Sequence, residues 1–137
     1  MLNLETIKQI AARAGQAAAL IPCAMSIAIV DSGANLVYVE RMDDALIGSV
    51  DVAHAKARSA VLFKRPTKAF EDMLAAGRTA LLSLPGAMPI EGGVPLIAAG
   101  KVMGGIGVSG GTAQQDGIVA NAAADSLAEI LGHSLSK

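Results

Sequence analysis

The 137-residue sequence predicts an α+β domain in which helices pack on an antiparallel sheet. Three observations carry that prediction. Apolar residues switch between helical and strand spacing along the chain, in the order α-β-β-α-α-β-β-β-α. Short turns join the strand-like segments, which implies hairpins. Glycine is dense between Gly92 and Gly111, where strands need room for another backbone or a ligand to approach.

Residues 3–21 read as the first helix. Asn3 is a suitable N-cap, Glu5 complements the helix dipole, and Leu2 and Ile7 occupy staple positions. Ile7, Ile10, Ala11, Ala14 and Ala18 form one apolar stripe, and Pro22 stops the helix. Residues 24–31 form a nearly continuous apolar run, as expected of a strand buried on both faces. Ser32-Gly33-Ala34-Asn35 turns the chain into a hairpin partner over 36–42.

Residues 49–63 return to helical spacing, with Val50, Ala53, Ala57 and Val61 inward and Asp51, His54 and Arg58 on the other face. Pro66 suits the first turn of a second helix that runs to Ala76 and ends at Gly77, with a short helical turn through Leu82. From Met88 to Gly110 two or three strands are expected, with a tight turn at Ala99-Gly100-Lys101. Thr112 and Gln115 have capping-box spacing and open a last helix to Leu131, with Gly132 at the C′ position. No repeat, linker or low-complexity segment divides the chain, so one domain is expected over 1–137.

Bulk composition narrows the function classes. Hydrophobic residues make up 53% but aromatics only 2%, so the core is aliphatic. Net charge is −1 and the sequence pI is near 6.1, which offers no basic excess for a phosphate backbone. With no Trp and a single Tyr there is almost no base-stacking platform, and nucleic acid is excluded as a partner. No apolar run reaches the roughly 18–20 residues of a membrane span, and no signal peptide is visible. The lone Cys23 rules out an internal disulfide and points to a reducing, cytoplasmic compartment. Charged residues are only 17% and mean hydropathy is +0.50, which leaves more apolar material than one core absorbs and predicts a homo-oligomer.

Four segments together resemble the GlcG/HbpS family, which includes the C-terminal domain of PduO-type proteins. They are Arg41-Met42-Asp43-Asp44-Ala45, Ala53-His54-Ala55-Lys56-Ala57, Gly92-Gly93-Val94-Pro95-Leu96, and Gly104 to Gly110 followed by Gln115-Asp116. The resemblance implies a profilin-like fold, a five-stranded antiparallel sheet with helices on both faces. It also implies a small-molecule ligand, since some members bind haem and the PduO context is corrinoid metabolism. Asp44 stands where the family commonly has Gly.

The candidate ligand-binding residues are Arg41, Asp43, His54, Lys56, Gly92, Gly93, Pro95 and Asp116. His54 could ligate a haem iron or exchange protons near neutral pH. Arg41, Lys56 and Arg58 could clamp a carboxylate or a haem propionate. On this reading Lys56, Arg41 and the Gly92–Pro95 loop line one cavity. Each residue also has a structural role open to it: a solvated helix face for Lys56 and Arg58, a turn for Asp43, a dipole partner for Asp116, tight strand packing for the glycines.

Gly107-Val108-Ser109-Gly110-Gly111 matches the letters of a nucleophile elbow, but not its context in a parallel sheet with a late His such as His133. Two distant His and one Cys lack zinc-ligand spacing. The expected function is therefore binding of haem or a related tetrapyrrole. The alternative is a small cytosolic catabolic enzyme, an isomerase or hydrolase acting on an organic acid, with Asp116 as its acid/base. A scaffold without a ligand is a third reading.

Overall fold

The computed structural model describes residues 1–135, with side chains through Gly132. Helix α1 spans Leu4–Leu20, strand β1 Ser26–Asp31 and strand β2 Leu36–Arg41. Helix α2 spans Ser49–Phe63 and α3 Thr67–Ala75, followed by a 3-10 turn at Thr79–Ser83. Strands β3 (Gly93–Ala98) and β4 (Lys101–Ser109) form a hairpin, and α4 (Ala113–Asp125) and α5 (Leu127–Leu135) close the chain. The sheet order is β2-β1-β4-β3, antiparallel throughout. The mixed α/β class is as expected, but among the described residues the sheet has four strands rather than five. Met88 to Gly92 stays as a loop before β3. Pro89, without an N–H, interrupts it.

Helices cover both faces of the sheet. On one, Ile7, Ile10 and Ala14 of α1, Ile27 and Ile29 of β1, Ile106 and Val108 of β4, and Val119 and Ala123 of α4 share the main core. Asn3 caps α1 as its position predicts, its Oδ1 accepting from the Thr6 amide at 2.8 Å. Thr112 and Gln115 form the full capping box at the start of α4. The expected single last helix is instead broken at Ser126. Its hydroxyl donates back to the Ala123 carbonyl at 2.6 Å, and this local bond competes with helix continuation. The chain resumes as α5, so Gly132 lies inside a helix rather than after one.

On the other face lies α2, unusually close to the strands. A Cβ at Gly107 would collide with the Ala53 carbonyl, one at Gly93 with the Lys56 carbonyl, and one at Gly105 would sit 2.7 Å from the Ala57 carbonyl. The helix answers with small residues, Ala53, Ala57 and Ala60, all fully buried. The glycine density is therefore the floor on which a helix backbone rests.

Candidate functional site

The close approach of α2 carries Lys56 inside the molecule. The solvated-face reading of this residue is overturned: Lys56 is 1% exposed. Its ammonium donates to the Val108 carbonyl at 2.9 Å and to Asp116 Oδ2 at 3.0 Å. Asp116, 2% exposed, accepts from the Gly111 amide through its other oxygen at 2.9 Å. The pair ties α2 on one face to α4 on the other, past the ends of β3 and β4. Gly92 makes room for it, since a Cβ there would meet the Lys56 Nζ at 2.8 Å and the Val108 carbonyl at 2.7 Å. A buried pair of this kind holds only when both charges find further hydrogen bonds, as both do here.

Beside this pair lies a cleft of about 340 Å³ between α3, α4 and the start of β3, lined by Pro66, Lys68, Glu91, Gly92, Gly93 and Asn121 among others. Glu91 is held above the ordinary glutamate range, first by burial, with Lys68 opposing the shift and Glu71 and Asp72 adding to it. Pro95 is buried in β3 and does not line this cleft.

Arg41 and Asp43 lie elsewhere. With Met42, Asp44, Ala45 and Ile47 they line a polar depression of about 520 Å³. The expectation that Arg41, Lys56 and the Gly92–Pro95 loop share one cavity is thus not met. They belong to three settings: a surface depression, a buried ion pair and a cleft. Asp44 adopts a left-handed φ of +69°, the conformation that a glycine at this position takes freely. Ser109 ends a strand of an antiparallel sheet, so a nucleophile elbow has no structural basis. The side chain of His133 lies outside the described residues.

His54 also departs from expectation. It is half-buried rather than on a solvated face, and its Nε2 is buried with no hydrogen-bond partner. One turn later Arg58 donates to the Ala34 carbonyl at 2.8 Å, in the β1–β2 turn. That places His54 on the side of α2 that overhangs β2. Arg41 and Val39, opposite Ser26 and Ala28, are on the same sheet face and solvent-exposed. A buried nitrogen lone pair without a donor costs about 1–3 kcal/mol, which a ligand that accepts the lone pair recovers. Local spacing carried no such signal at His54, because burial of one ring nitrogen is a property of the folded chain.

Among the described residues no cluster of three His, Cys, Asp or Glu side chains could hold a metal ion, and no helix is long and apolar enough to cross a membrane.

The architecture is an antiparallel sheet between helices, with α2 seated on strand glycines. The chain belongs to the family described as haem-degrading protein HbpS-like, whose model matches residues 2–125. The resemblance drawn from the four sequence segments is thereby borne out. The chain is 41% identical to protein GlcG of Escherichia coli K12 over 85 residues, 62% of this chain and 63% of the relative. It thus spans less than two thirds of the length of that curated relative. The structure matches Klebsiella pneumoniae protein ORFY with a TM-score of 0.87 at 32% identity, over 93% of this chain and 90% of that one. It matches the PduOC–haem complex with a TM-score of 0.83 at 29% identity, over 91% of this chain and 94% of that one.

Proposed function

We propose that this protein is a binding module for haem or a related tetrapyrrole, with His54 as the protein ligand to the iron. The carrying observation is the His54 Nε2, a buried imidazole nitrogen with no partner. The donor chemistry fits: neutral imidazole is a common axial ligand. The surroundings fit as well. Val39 exposes an apolar side chain on the sheet face that carries Arg41, and Ile47 exposes one at the depression that Arg41 lines, while Arg41 and Arg58 supply guanidinium groups suited to propionates. Family membership and the haem complex of PduOC support the same reading.

The iron of a bound haem supplies the redox chemistry. The chain's own part is to orient the macrocycle, shield one face from water and neutralise the propionates. Because Nε2 is buried, an iron would reach it only once the groups that cover it move aside.

The rival reading, a catabolic enzyme acting on an organic acid, needs Asp116 free as an acid/base and Arg41, Lys56 and Arg58 gathered on one anion. Both Asp116 oxygens are engaged and Lys56 is enclosed with it. We place the protein in the cytoplasm on the strength of the lone Cys23, and read it as self-associating.

Titration of the purified protein with ferric haem, followed in the visible spectrum, tests the function. A sharp Soret shift that saturates near one haem per chain is expected. Absorbance that rises without saturation contradicts it.

A further inference from the structure

The cleft between α3, α4 and the start of β3 has walls of two kinds. Pro66, Ala69 and Val94 supply apolar side chains, while Gly92, Gly93 and Gly117 leave backbone bare. Lys68 and Asp72 on α3, and Gly117 and Asn121 on α4, are each four residues apart and so share one side of their helix. Glu91 enters between the two helices. Its side chain lies against the α4 backbone at Gly117, where a Cβ would collide with the carboxylate. Its own amide donates to Glu71 Oε1 at 3.1 Å, which fixes the segment that carries it.

The polar groups of this cleft are one-sided. Lys68 spends its ammonium on Asp72, both of whose oxygens accept at 3.0 Å. The Gly93 amide donates to Thr67 Oγ1 at 2.9 Å. Asn121 Nδ2 donates to the Gly117 carbonyl at 2.8 Å, which leaves Oδ1 as an acceptor. Among the described residues no donor reaches the Glu91 carboxylate; burial and the charges of Lys68, Glu71, Asp72 and Lys56 are what act on it. Lys56 is already matched by Asp116, and around the cleft Glu71, Asp72 and Glu91 outnumber Lys68. A half-buried carboxylate short of a donor is held above its ordinary range, as Glu91 is.

We infer that this cleft is a second binding site, for a small organic cation: a primary ammonium on a short apolar body, with its nitrogen seated on the Glu91 carboxylate. The choice of class follows from what the cleft lacks. An ammonium supplies donors and a compensating charge together, and its bond to a carboxylate is about twice as strong as a neutral hydrogen bond. A carboxylate ligand would meet the excess of like charge, and an alcohol would bring a donor without the charge. The apolar body rests on Pro66, Ala69 and Val94. A volume of about 340 Å³ lies at the small end of ligand pockets, which run from about 300 to 1,000 Å³. None of the residues that line the cleft is His54, Arg41 or Arg58, so failure of this site leaves the proposed function standing.

The test uses three probes of one shape: n-butylammonium, 1-butanol and butyrate. Each is titrated into the full-length protein at neutral pH, and backbone amide shifts are followed by nuclear magnetic resonance. With n-butylammonium the Gly92, Gly93 and Gly117 amides should shift and saturate at roughly millimolar concentration, as befits so small a ligand. Butanol and butyrate should bind at least about tenfold more weakly. Glu91→Gln keeps the shape and removes the charge, and should weaken n-butylammonium at least about tenfold while its far-ultraviolet circular dichroism stays that of the wild type. Gly117→Ala, whose methyl group displaces the Glu91 carboxylate, provides a second break. Shifts that are absent, that do not saturate or that map outside the cleft overturn the proposal. So does butanol or butyrate binding as tightly as n-butylammonium, or undiminished binding in Glu91→Gln.

Discussion

Lys56 is a cation that the molecule cannot release. Its partner, Asp116, is sixty positions away in sequence and equally enclosed. Removing one member of a buried pair strands the other, and such changes typically cost about 3–5 kcal/mol. Lys56→Met is therefore expected to lower the unfolding free energy by about that amount in urea titrations. Lys56→Met combined with Asp116→Leu should recover a large part of the loss. A solvated helix face was one of the two roles open to Lys56 from the sequence, beside ligand binding. A reading of local spacing has no view of an acid on the far side of the sheet.

Glu91 makes the complementary prediction in pH. Its folded pKa lies above the ordinary 4.5, with burial the first cause. Its contribution is therefore present below the unfolded value and lost as pH rises through the folded one. Glu91→Gln should be more stable than wild type at neutral pH, and the advantage should vanish in denaturation series below pH of about 4. An advantage that persists in acid would contradict the assignment.

At the level of elements, the contact of α2 with the sheet decides most. Gly107→Ala sets a Cβ against the Ala53 carbonyl, which is helix backbone and cannot yield without moving α2. This variant is expected to lose several kcal/mol, among the largest effects of a single methyl group. Gly15 is the control. It lies inside α1 with open space around its Cα, so Gly15→Ala should stabilise by about 0.5–1 kcal/mol. Thermal unfolding of the two variants beside the wild type checks both signs.

The helices and their caps were legible because their signals are local: Asn3, Pro22, Pro66 and the Thr112–Gln115 box all act within a turn. The glycine run announced a close approach, but not which backbone would arrive. The break at Ser126 escaped because an isolated Ser inside an alanine-rich stretch carries no strong stop signal. The segment before β3 stays a loop, its Met88 and Glu91 amides donating to the Ser59 hydroxyl and the Glu71 carboxylate rather than to a strand.

At the scale of the whole molecule, the α+β class followed from the order of periods, and the family from four short segments taken together. The site was less legible. Its proposed residues are distributed among a surface depression, a buried pair and a cleft, and only the fold shows which remain free. His54 emerges with an unpartnered nitrogen, while Lys56 and Asp116 are consumed by structure.

The measurement that bears most directly on the central claim is haem titration of His54→Ala beside the wild type, with circular dichroism confirming equal folding. In His54→Ala the Soret shift seen with the wild type should be lost, or haem binding weakened at least about tenfold, equivalent to about 1.4 kcal/mol. Added imidazole should restore it in part by supplying the missing ligand. An unchanged titration and spectrum in His54→Ala would contradict the account.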